Sequence, residues 1–223
     1  MNILVAIPAY NEASRIADVV RSVTPYAAEV LVVDDGSTDG TGECAANASA
    51  RVLTHIVNRD LGGALQTAFA YARTTDADIL VTFDGDGQFC ADEIPRLCAP
   101  LVAGTADVAV GSRFLQKNKV PFIRRWGNRV GNIVTWALFG VRVTDSQSGF
   151  RAFSRKAFMT MTLATNGMEI SSEIVKEIDA CHLSFVEVPV TVTYDAYTRA
   201  KGQGFFRGIR TFSALLLHRF IRS

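Results

Sequence analysis

The feature of this sequence that most restricts its fold is the alternation of short apolar runs with longer amphipathic segments. The apolar runs predict strands at residues 3–7, 30–33, 52–57, 79–83 and 108–110. The segments between them predict helices at residues 12–23, about 41–50, 64–72 and 92–102, because apolar residues recur there at helical spacing. Short strands that are apolar throughout and separated by helices are typical of a parallel sheet covered on both faces. We therefore predict an α/β fold with a mostly parallel, Rossmann-like sheet flanked by helices.

Length and composition favour a single domain. The chain has 223 residues, 48% hydrophobic and 20% charged, and its net charge of +1 does not favour a nucleic-acid partner. No run reaches the ~18–20 apolar residues that a membrane-spanning helix needs, and the first residues do not resemble a signal peptide. The cysteines form no Cys-x-x-Cys motif, which predicts thiols in a reducing compartment; they are Cys44, Cys90, Cys98 and Cys181. We expect a cytoplasmic domain that is soluble or attached peripherally to a membrane.

Two carboxylates follow the apolar run at residues 79–83. Asp84 and Asp86 are two residues apart, so in an extended chain their side chains point the same way. One hard cation, Mg²⁺ or Mn²⁺, can engage such a pair together with the oxygens of a diphosphate, and Gln88 could add a neutral oxygen. The alternative for an isolated pair of this kind is a solvated acidic loop.

Two further strand ends carry polar sequence, at residues 8–12 and 34–41. Ligands of open parallel sheets bind outside the carboxyl ends of the strands, so we expect these residues to meet Asp84 and Asp86 at one edge. Carboxylates without His or Cys ligands suit a hard cation and hydroxyl-rich ligands, and they do not suit zinc.

Five motifs in register closely resemble the family-2 glycosyltransferases with the glycosyltransferase-A fold, and among them the dolichyl- and polyprenyl-phosphate sugar transferases. The motifs span residues 5–153 and are Pro8-x-Tyr10-Asn11-Glu12, Asp34-Asp35-Gly36-Ser37-x-Asp39-Gly40-Thr41, Asp84-x-Asp86-x-Gln88, Gly111-Ser112-Arg113 and Ser148-Gly149-Phe150-Arg151. The resemblance implies an inverting, metal-dependent enzyme that moves a hexose from a UDP- or GDP-sugar to polyprenyl or dolichyl phosphate. A saccharide acceptor, a nucleotidyltransferase and a non-catalytic nucleotide-sugar-binding subunit are the alternatives.

The resemblance also implies the roles of individual residues. Mg²⁺ or Mn²⁺ would be held by Asp84, Asp86 and Gln88, Asp35 would face the base, and catalysis would rest on Asp86, Arg113 and Asp145. The nucleotide sugar would be bound by Pro8, Tyr10, Asn11, Glu12, Val33, Asp35, Asp84, Gly85, Asp86, Arg113 and Lys201.

Some of these roles have structural alternatives. Asp34 and Asp39 could cap a helix, and Pro8 could do no more than end its strand. Asp145 could be a base, could position the acceptor or could only structure its loop. Glu169 could point into the sugar pocket, or could form a solvent-facing pair with Glu173, four residues on.

Basic residues beside an apolar segment at 130–139 favour an anionic lipid head group as acceptor. The resemblance assigns the acceptor phosphate to Arg125, Arg129, Ser148 and Arg151. We assign residues 1–204 to the catalytic domain and 205–223 to a C-terminal amphipathic basic helix that lies at a membrane interface or docks on protein. The enzyme would then sit on the inner face of the cell membrane, either by itself or recruited by a separate small membrane protein.

Overall fold

The computed structural model describes residues 1–116, 128–129, 132 and 143–193. Its strands are β1 (Ile3–Ala9), β2 (Glu29–Asp34), β3 (Arg51–Thr54), β4 (Ile79–Thr82), β5 (Val108–Ser112), β6 (Arg151–Ser154) and β7 (Phe185–Pro189). Its helices are α1 (Ile16–Val23), α2 (Thr41–Asn47), α3 (Asp60–Ala72), α4 (Ile94–Val102), α5 (Arg155–Thr160) and α6 (Ile170–Ala180). Short 3₁₀ turns occupy Thr24–Tyr26 and Ala91–Glu93. This arrangement confirms the predicted α/β class.

One seven-stranded sheet organises the fold, in the order β3-β2-β1-β4-β6-β5-β7. Every pairing is parallel except those of β6, which runs antiparallel to both β4 and β5. Arg151, the first residue of β6, pairs with Thr82 at the end of β4 and with Val110 near the end of β5. The loop that enters β6 therefore lies at the same edge of the sheet as the carboxyl ends of its neighbours.

The core has two layers because successive strand residues point to opposite faces of the sheet. Val5 and Ile7 pack on one side with the buried stripe of α1 and with α4. Leu4 and Ala6 pack on the other side with α3, α5 and α6. Both faces are covered, which explains why the central strands are apolar throughout.

Several predicted boundaries were wrong. β3 ends at Thr54 and not at residue 57, and Ile56 beyond it is 100% exposed. α1 begins at Ile16 and not at residue 12, whereas α3 begins at Asp60, earlier than predicted. Pro8 does not end its strand, because β1 continues to Ala9.

Some predictions fall on other parts of the chain. Arg125, Lys201, the apolar segment 130–139 apart from Asn132, and the C-terminal helix at 205–223 lie outside the described residues. Within the described ranges, no helix is long and apolar enough to cross a membrane.

Candidate active site at the carboxyl edge of the sheet

Asp84 stands two residues after the end of β4, and Gly149 lies close against its carboxylate. A Cβ at Gly149 would lie 1.9 Å from Oδ1 of Asp84, so a glycine is needed there to leave room for the carboxylate. The Thr82 hydroxyl donates a 2.8 Å hydrogen bond to the Gly149 carbonyl and fixes this approach. The loop before β6 is thereby packed against the acidic end of β4.

Asp86 is oriented by Gln88. The Gln88 backbone N–H donates to Asp86 Oδ1 at 3.0 Å, and the Gln88 side-chain amide donates to Oδ2. Gln88 therefore holds the Asp86 carboxylate in place. Direct coordination of the metal by Gln88 stays a prediction.

Charge is concentrated around this acidic pair. Burial, followed by the charge of Asp86, raises the pKa of Asp84 to about 7, although Arg113 and Arg151 act in the opposite direction. Burial lowers the pKa of Arg151 to about 10, while Asp84 and Asp145 favour its charged form. Two adjacent carboxylates that destabilise each other's charge fit a hard divalent cation, which such sites share with diphosphate oxygens. Within the described ranges, no three His, Cys, Asp or Glu side chains are grouped as a metal site.

Metal affinity should therefore depend on pH. Because Asp84 has to lose its proton to bind a cation, a pKa of about 7 predicts about 10-fold tighter Mn²⁺ binding at pH 8 than at pH 6. Calorimetric titration in buffers of different ionisation enthalpy would report both the affinity and the released proton. Asp84→Asn should bind Mn²⁺ weakly and without this pH dependence, and equal affinity of the wild type at both pH values would contradict the assignment.

Arg113 and Asp145 form a bidentate ion pair. Arg113 Nε lies 2.6 Å from Oδ2 and Nη2 lies 2.7 Å from Oδ1, and the Arg113 backbone N–H also donates to Oδ2. The Asp145 side chain is 0% exposed. This geometry occupies both oxygens of Asp145 with Arg113, so the carboxylate is well placed to orient the guanidinium.

Hydrogen bonds to β5 and β7 hold the loop that carries Asp145. Glu187 in β7 accepts hydrogen bonds from the backbone N–H groups of Thr144 and Asp145 and from the Thr144 hydroxyl. The hydroxyls of Ser112 and Thr144 lie 2.6 Å apart. The end of β5 and the loop before β6 are thus clasped together, and we call the Ser112–Thr144 and Arg113–Asp145 contacts the double clasp.

Ser148 and Arg151, assigned by resemblance to the acceptor phosphate, are both buried. Arg151 donates to the Ser146 carbonyl at 3.0 Å and lies among the charges of Asp84 and Asp145. Arg151 therefore offsets the negative charge of Asp84 and Asp145. Direct contact of Ser148 or Arg151 with an acceptor stays a prediction.

Hydrogen bonds join the loops after β1 and β2. The Asn11 backbone N–H donates to Ser37 Oγ, and its side-chain oxygen accepts from the Thr38 N–H. The backbone N–H of Glu12, a buried residue, donates to Thr41 Oγ1. Of the other predicted nucleotide contacts, Pro8 and Val33 are register partners in β1 and β2, and Tyr10 is 45% exposed at the edge.

Asp34 and Asp39 accept hydrogen bonds from within these loops. Asp34 Oδ1 accepts from the Ser37 N–H. Asp39 accepts from the backbone and hydroxyl of Thr41 and from the Ala13 N–H. Burial alone would raise the pKa of Asp39, but the hydrogen bonds from Thr41 and Ala13 together lower it. These bonds fix the loop before α2, whose N-cap is Gly40 and has no side-chain capping hydrogen bond, so the capping alternative is not supported.

Two acidic residues at the start of α6 accept hydrogen bonds from the loop before it. Glu173 is buried and accepts from the Ala164 and Thr165 N–H groups and the Thr165 hydroxyl, so the interpretation of a solvent-facing pair was wrong. Glu169 accepts from the Gly167 N–H.

One site residue was missed entirely by sequence reasoning. His55, just beyond β3, places its Nδ1 2.6 Å from Asp35 Oδ1. A lone histidine after an edge strand carries no motif, and its position beside Asp35 depends on the pairing of β2 with β3.

Comparison with solved structures identifies the fold. Glucosyl-3-phosphoglycerate synthase from Mycobacterium tuberculosis, solved with Mn²⁺, UDP-glucose and phosphoglyceric acid, superposes with a TM-score of 0.77. The match covers 98% of this chain and 79% of that chain at 23% identity. The fold is the glycosyltransferase-A fold.

Sequence relatives give the family. The UDP-N-acetylglucosamine–dolichyl-phosphate N-acetylglucosaminyltransferase of Methanococcus voltae is 32% identical over 96% of this chain and 95% of its own length. The undecaprenyl-phosphate mannosyltransferase of Micrococcus luteus is 30% identical over 86% of this chain and 83% of its own length. Residues 4–162 match the model of glycosyl transferase family 2, and the chain belongs to that family. It is therefore a glycosyltransferase.

Proposed function

We propose that this glycosyltransferase transfers a hexose from a UDP- or GDP-sugar to a polyprenyl or dolichyl phosphate, with inversion at the anomeric carbon. The nucleotide-sugar donor is supported by one observation. The carboxylates Asp84 and Asp86 lie beside the Arg113–Asp145 ion pair at the carboxyl edge of the sheet. The acceptor half is supported by the relatives, whose names specify dolichyl and undecaprenyl phosphates.

The reaction needs a leaving nucleoside diphosphate whose growing negative charge is neutralised. Bound Mg²⁺ or Mn²⁺ would supply Lewis-acid stabilisation of that charge, held by Asp84 and Asp86. Arg113, already oriented by Asp145, would add a fixed positive charge to the same oxygens. An acceptor phosphate is itself an anion, so its attack on the anomeric carbon does not require a strong base.

Of the two arginines predicted to bind the acceptor phosphate, Arg129 lies within the described residues. It is exposed and stands between two asparagines that join its segment to the loop of Asp145. Asn128 and Asn132 each donate to the Thr144 carbonyl, at 3.0 and 2.7 Å, and Asn132 Oδ1 also accepts from Ser146. These bonds bring the Arg129 backbone next to the double clasp, which supports an acceptor position beside Arg113.

The enzyme would work at the inner face of the cell membrane, because the phosphate of a polyprenyl lipid lies at the membrane surface. Peripheral binding of the chain itself and recruitment by a separate small membrane protein are both compatible with this proposal. Pelleting with polyprenyl-phosphate vesicles in the absence of other proteins would distinguish them.

Transfer of label to lipid tests the proposal directly. The protein is incubated with polyprenyl phosphate, Mn²⁺ and each of a panel of radiolabelled UDP- and GDP-sugars, and lipid-soluble label is counted. We expect label from one sugar of the panel. Label transferred only to a soluble saccharide would show that the acceptor is a saccharide and not a lipid phosphate. Binding of a nucleotide sugar without any turnover would favour a non-catalytic subunit.

Substitution of Arg129 should affect the acceptor and spare the donor. We expect Arg129→Ala to raise the KM for polyprenyl phosphate by about 10-fold, the loss of a charge-assisted hydrogen bond to phosphate, while nucleotide-sugar affinity stays unchanged. The matched control is Arg21→Ala, since Arg21 is exposed in the last turn of α1. Equal KM values for the two variants would make Arg129 an ordinary surface residue.

A further inference from the structure

His55 is fixed to the carboxylate of Asp35 on the nucleoside side of the site. His55 Nδ1 lies 2.6 Å from Asp35 Oδ1, and the Arg59 backbone N–H donates to the same oxygen at 2.9 Å. The two side chains are 11% and 5% exposed. An ionised carboxylate only accepts hydrogen bonds, so Nδ1 carries the hydrogen of this contact.

The far side of the imidazole is anchored as well. His55 Nε2 lies 2.8 Å from Thr67 Oγ1 in α3, and Thr67 Oγ1 donates to the Gly63 carbonyl at 3.1 Å. The His55 backbone N–H donates to the Asp34 carbonyl at 2.9 Å. The ring is therefore held between a helix and the end of β2, and its orientation does not depend on Asp35 alone.

The backbone around Asp35 is equally constrained. Gly36 has φ +73°, and a Cβ there would lie 3.0 Å from backbone atoms of Val57 and Asn58. The loop after β3 thus packs directly on the residue that follows Asp35. Together with His55 and Arg59, it leaves the Asp35 carboxylate little rotational freedom.

The two oxygens of Asp35 have different surroundings. Both the His55 and the Arg59 hydrogen bonds go to Oδ1, and in the described part of the chain no hydrogen bond to Oδ2 is formed. An oxygen held in place by its neighbour's bonds is suited to accept from an N–H group of a ligand. The N–H groups on the pairing edges of uracil and guanine are of this kind.

We propose that His55 is a positioning residue for nucleoside recognition: it fixes Asp35 through Oδ1 so that Oδ2 accepts the N–H of the donor's base. This proposal rests on the UDP- or GDP-sugar donor of the proposed function and on the assignment of Asp35 to its base that the family resemblance implies, and it adds the residue that makes Asp35 a preorganised acceptor. Preorganisation raises affinity because the ligand does not have to order the carboxylate on binding.

Three substitutions of His55 separate its two ring contacts. The amide nitrogen of Asn lies about where Nδ1 was and can still donate to Asp35, whereas that of Gln reaches the position of Nε2 and keeps only the Thr67 contact. Calorimetry with UDP and GDP in the presence of Mn²⁺ identifies the nucleotide that wild type binds more tightly. For that nucleotide we expect about 10-fold weaker binding by His55→Ala and His55→Gln, and a loss of about 3-fold or less by His55→Asn.

A double-mutant cycle tests whether His55 acts through Asp35. We expect Asp35→Ala to weaken nucleotide binding by about 10-fold, and His55→Ala to add less than about 2-fold in that background. Multiplication of the two single effects would overturn the positioning role, as would equal affinities of the Asn and Gln variants. Thermal unfolding of each variant reports the stability that His55 contributes through Thr67, and because Asn and Gln each retain one contact, their comparison holds even if the Ala variant fails to fold.

The outcomes also separate this inference from the proposed function. If wild type binds a nucleotide and His55→Ala binds it equally well, only the role of His55 fails. If wild type binds neither UDP nor GDP, the proposed donor fails and the inference fails with it.

Discussion

Asp86→Ala should abolish sugar transfer while leaving the fold intact. Asp86 lies in the loop after β4, where its carboxylate is positioned by Gln88 and helps to form the predicted cation site. Loss of a metal ligand removes stabilisation of the leaving diphosphate, so we expect turnover to fall by about 100-fold or more. Initial rates of lipid-soluble label formation measure the effect, and Mn²⁺-supported nucleotide binding should be lost in parallel.

The control for this variant is another acidic residue at the opposite end of the molecule. Asp179→Ala removes an exposed carboxylate near the end of α6, and it should leave turnover and metal binding unchanged. Excess EDTA should inactivate the wild type, and added Mg²⁺ or Mn²⁺ should restore it. Full activity of Asp86→Ala, or of wild type in EDTA, would contradict the assignment of Asp86 to a metal site.

The second large effect concerns the Arg113–Asp145 ion pair. We expect Arg113→Ala and Asp145→Ala each to lower kcat by about 100-fold, because the first removes the positive charge beside the leaving diphosphate and the second removes the carboxylate that positions it. If Asp145 acts only by orienting Arg113, the double variant should be no slower than the slower single variant. Rates of the four proteins at saturating donor and acceptor provide the measurement.

A base role for Asp145 predicts a different pattern. The Asp145→Ala effect would then exceed that of Arg113→Ala, and the two effects would multiply in the double variant. The observed bidentate pairing, with Asp145 0% exposed, favours the first pattern.

The meeting of the predicted loops at one edge followed from sequence because strand ends in parallel sheets share an edge. Asp84 and Asp86 follow a run whose apolar character is unambiguous, and the loops after β1 and β2 are rich in turn and polar residues. The topology around β6 did not follow in the same way. Arg151–Ser154 contains a buried arginine, and only tertiary charges around Arg151 make its burial tolerable.

Long-range contacts account for most of what the sequence did not predict. Glu173 looked like a surface residue at helical spacing, yet it accepts hydrogen bonds from three donor groups of the loop before α6. Residues 52–57 looked like one strand, but hydrogen bonding to β2 stops at Thr54 and the exposed Ile56 lies beyond it. The role of His55 required the same knowledge, because its partner Asp35 is twenty residues away in the chain.

The double clasp has a consequence for how such an enzyme can change. The chain leaves the sheet at Ser112 and returns at Arg151, and the clasp brings the two ends of the intervening segment to one place. Exchange or lengthening of a segment with joined ends costs only a slowly growing closure entropy. Under the acceptor position proposed beside Arg129, a lineage could therefore acquire a new acceptor by replacing residues 114–143 while inheriting the sheet and its acidic edge unaltered. Chimaeras that graft this segment from a relative, with Arg113 and Asp145 retained, would be a practical way to redirect the enzyme.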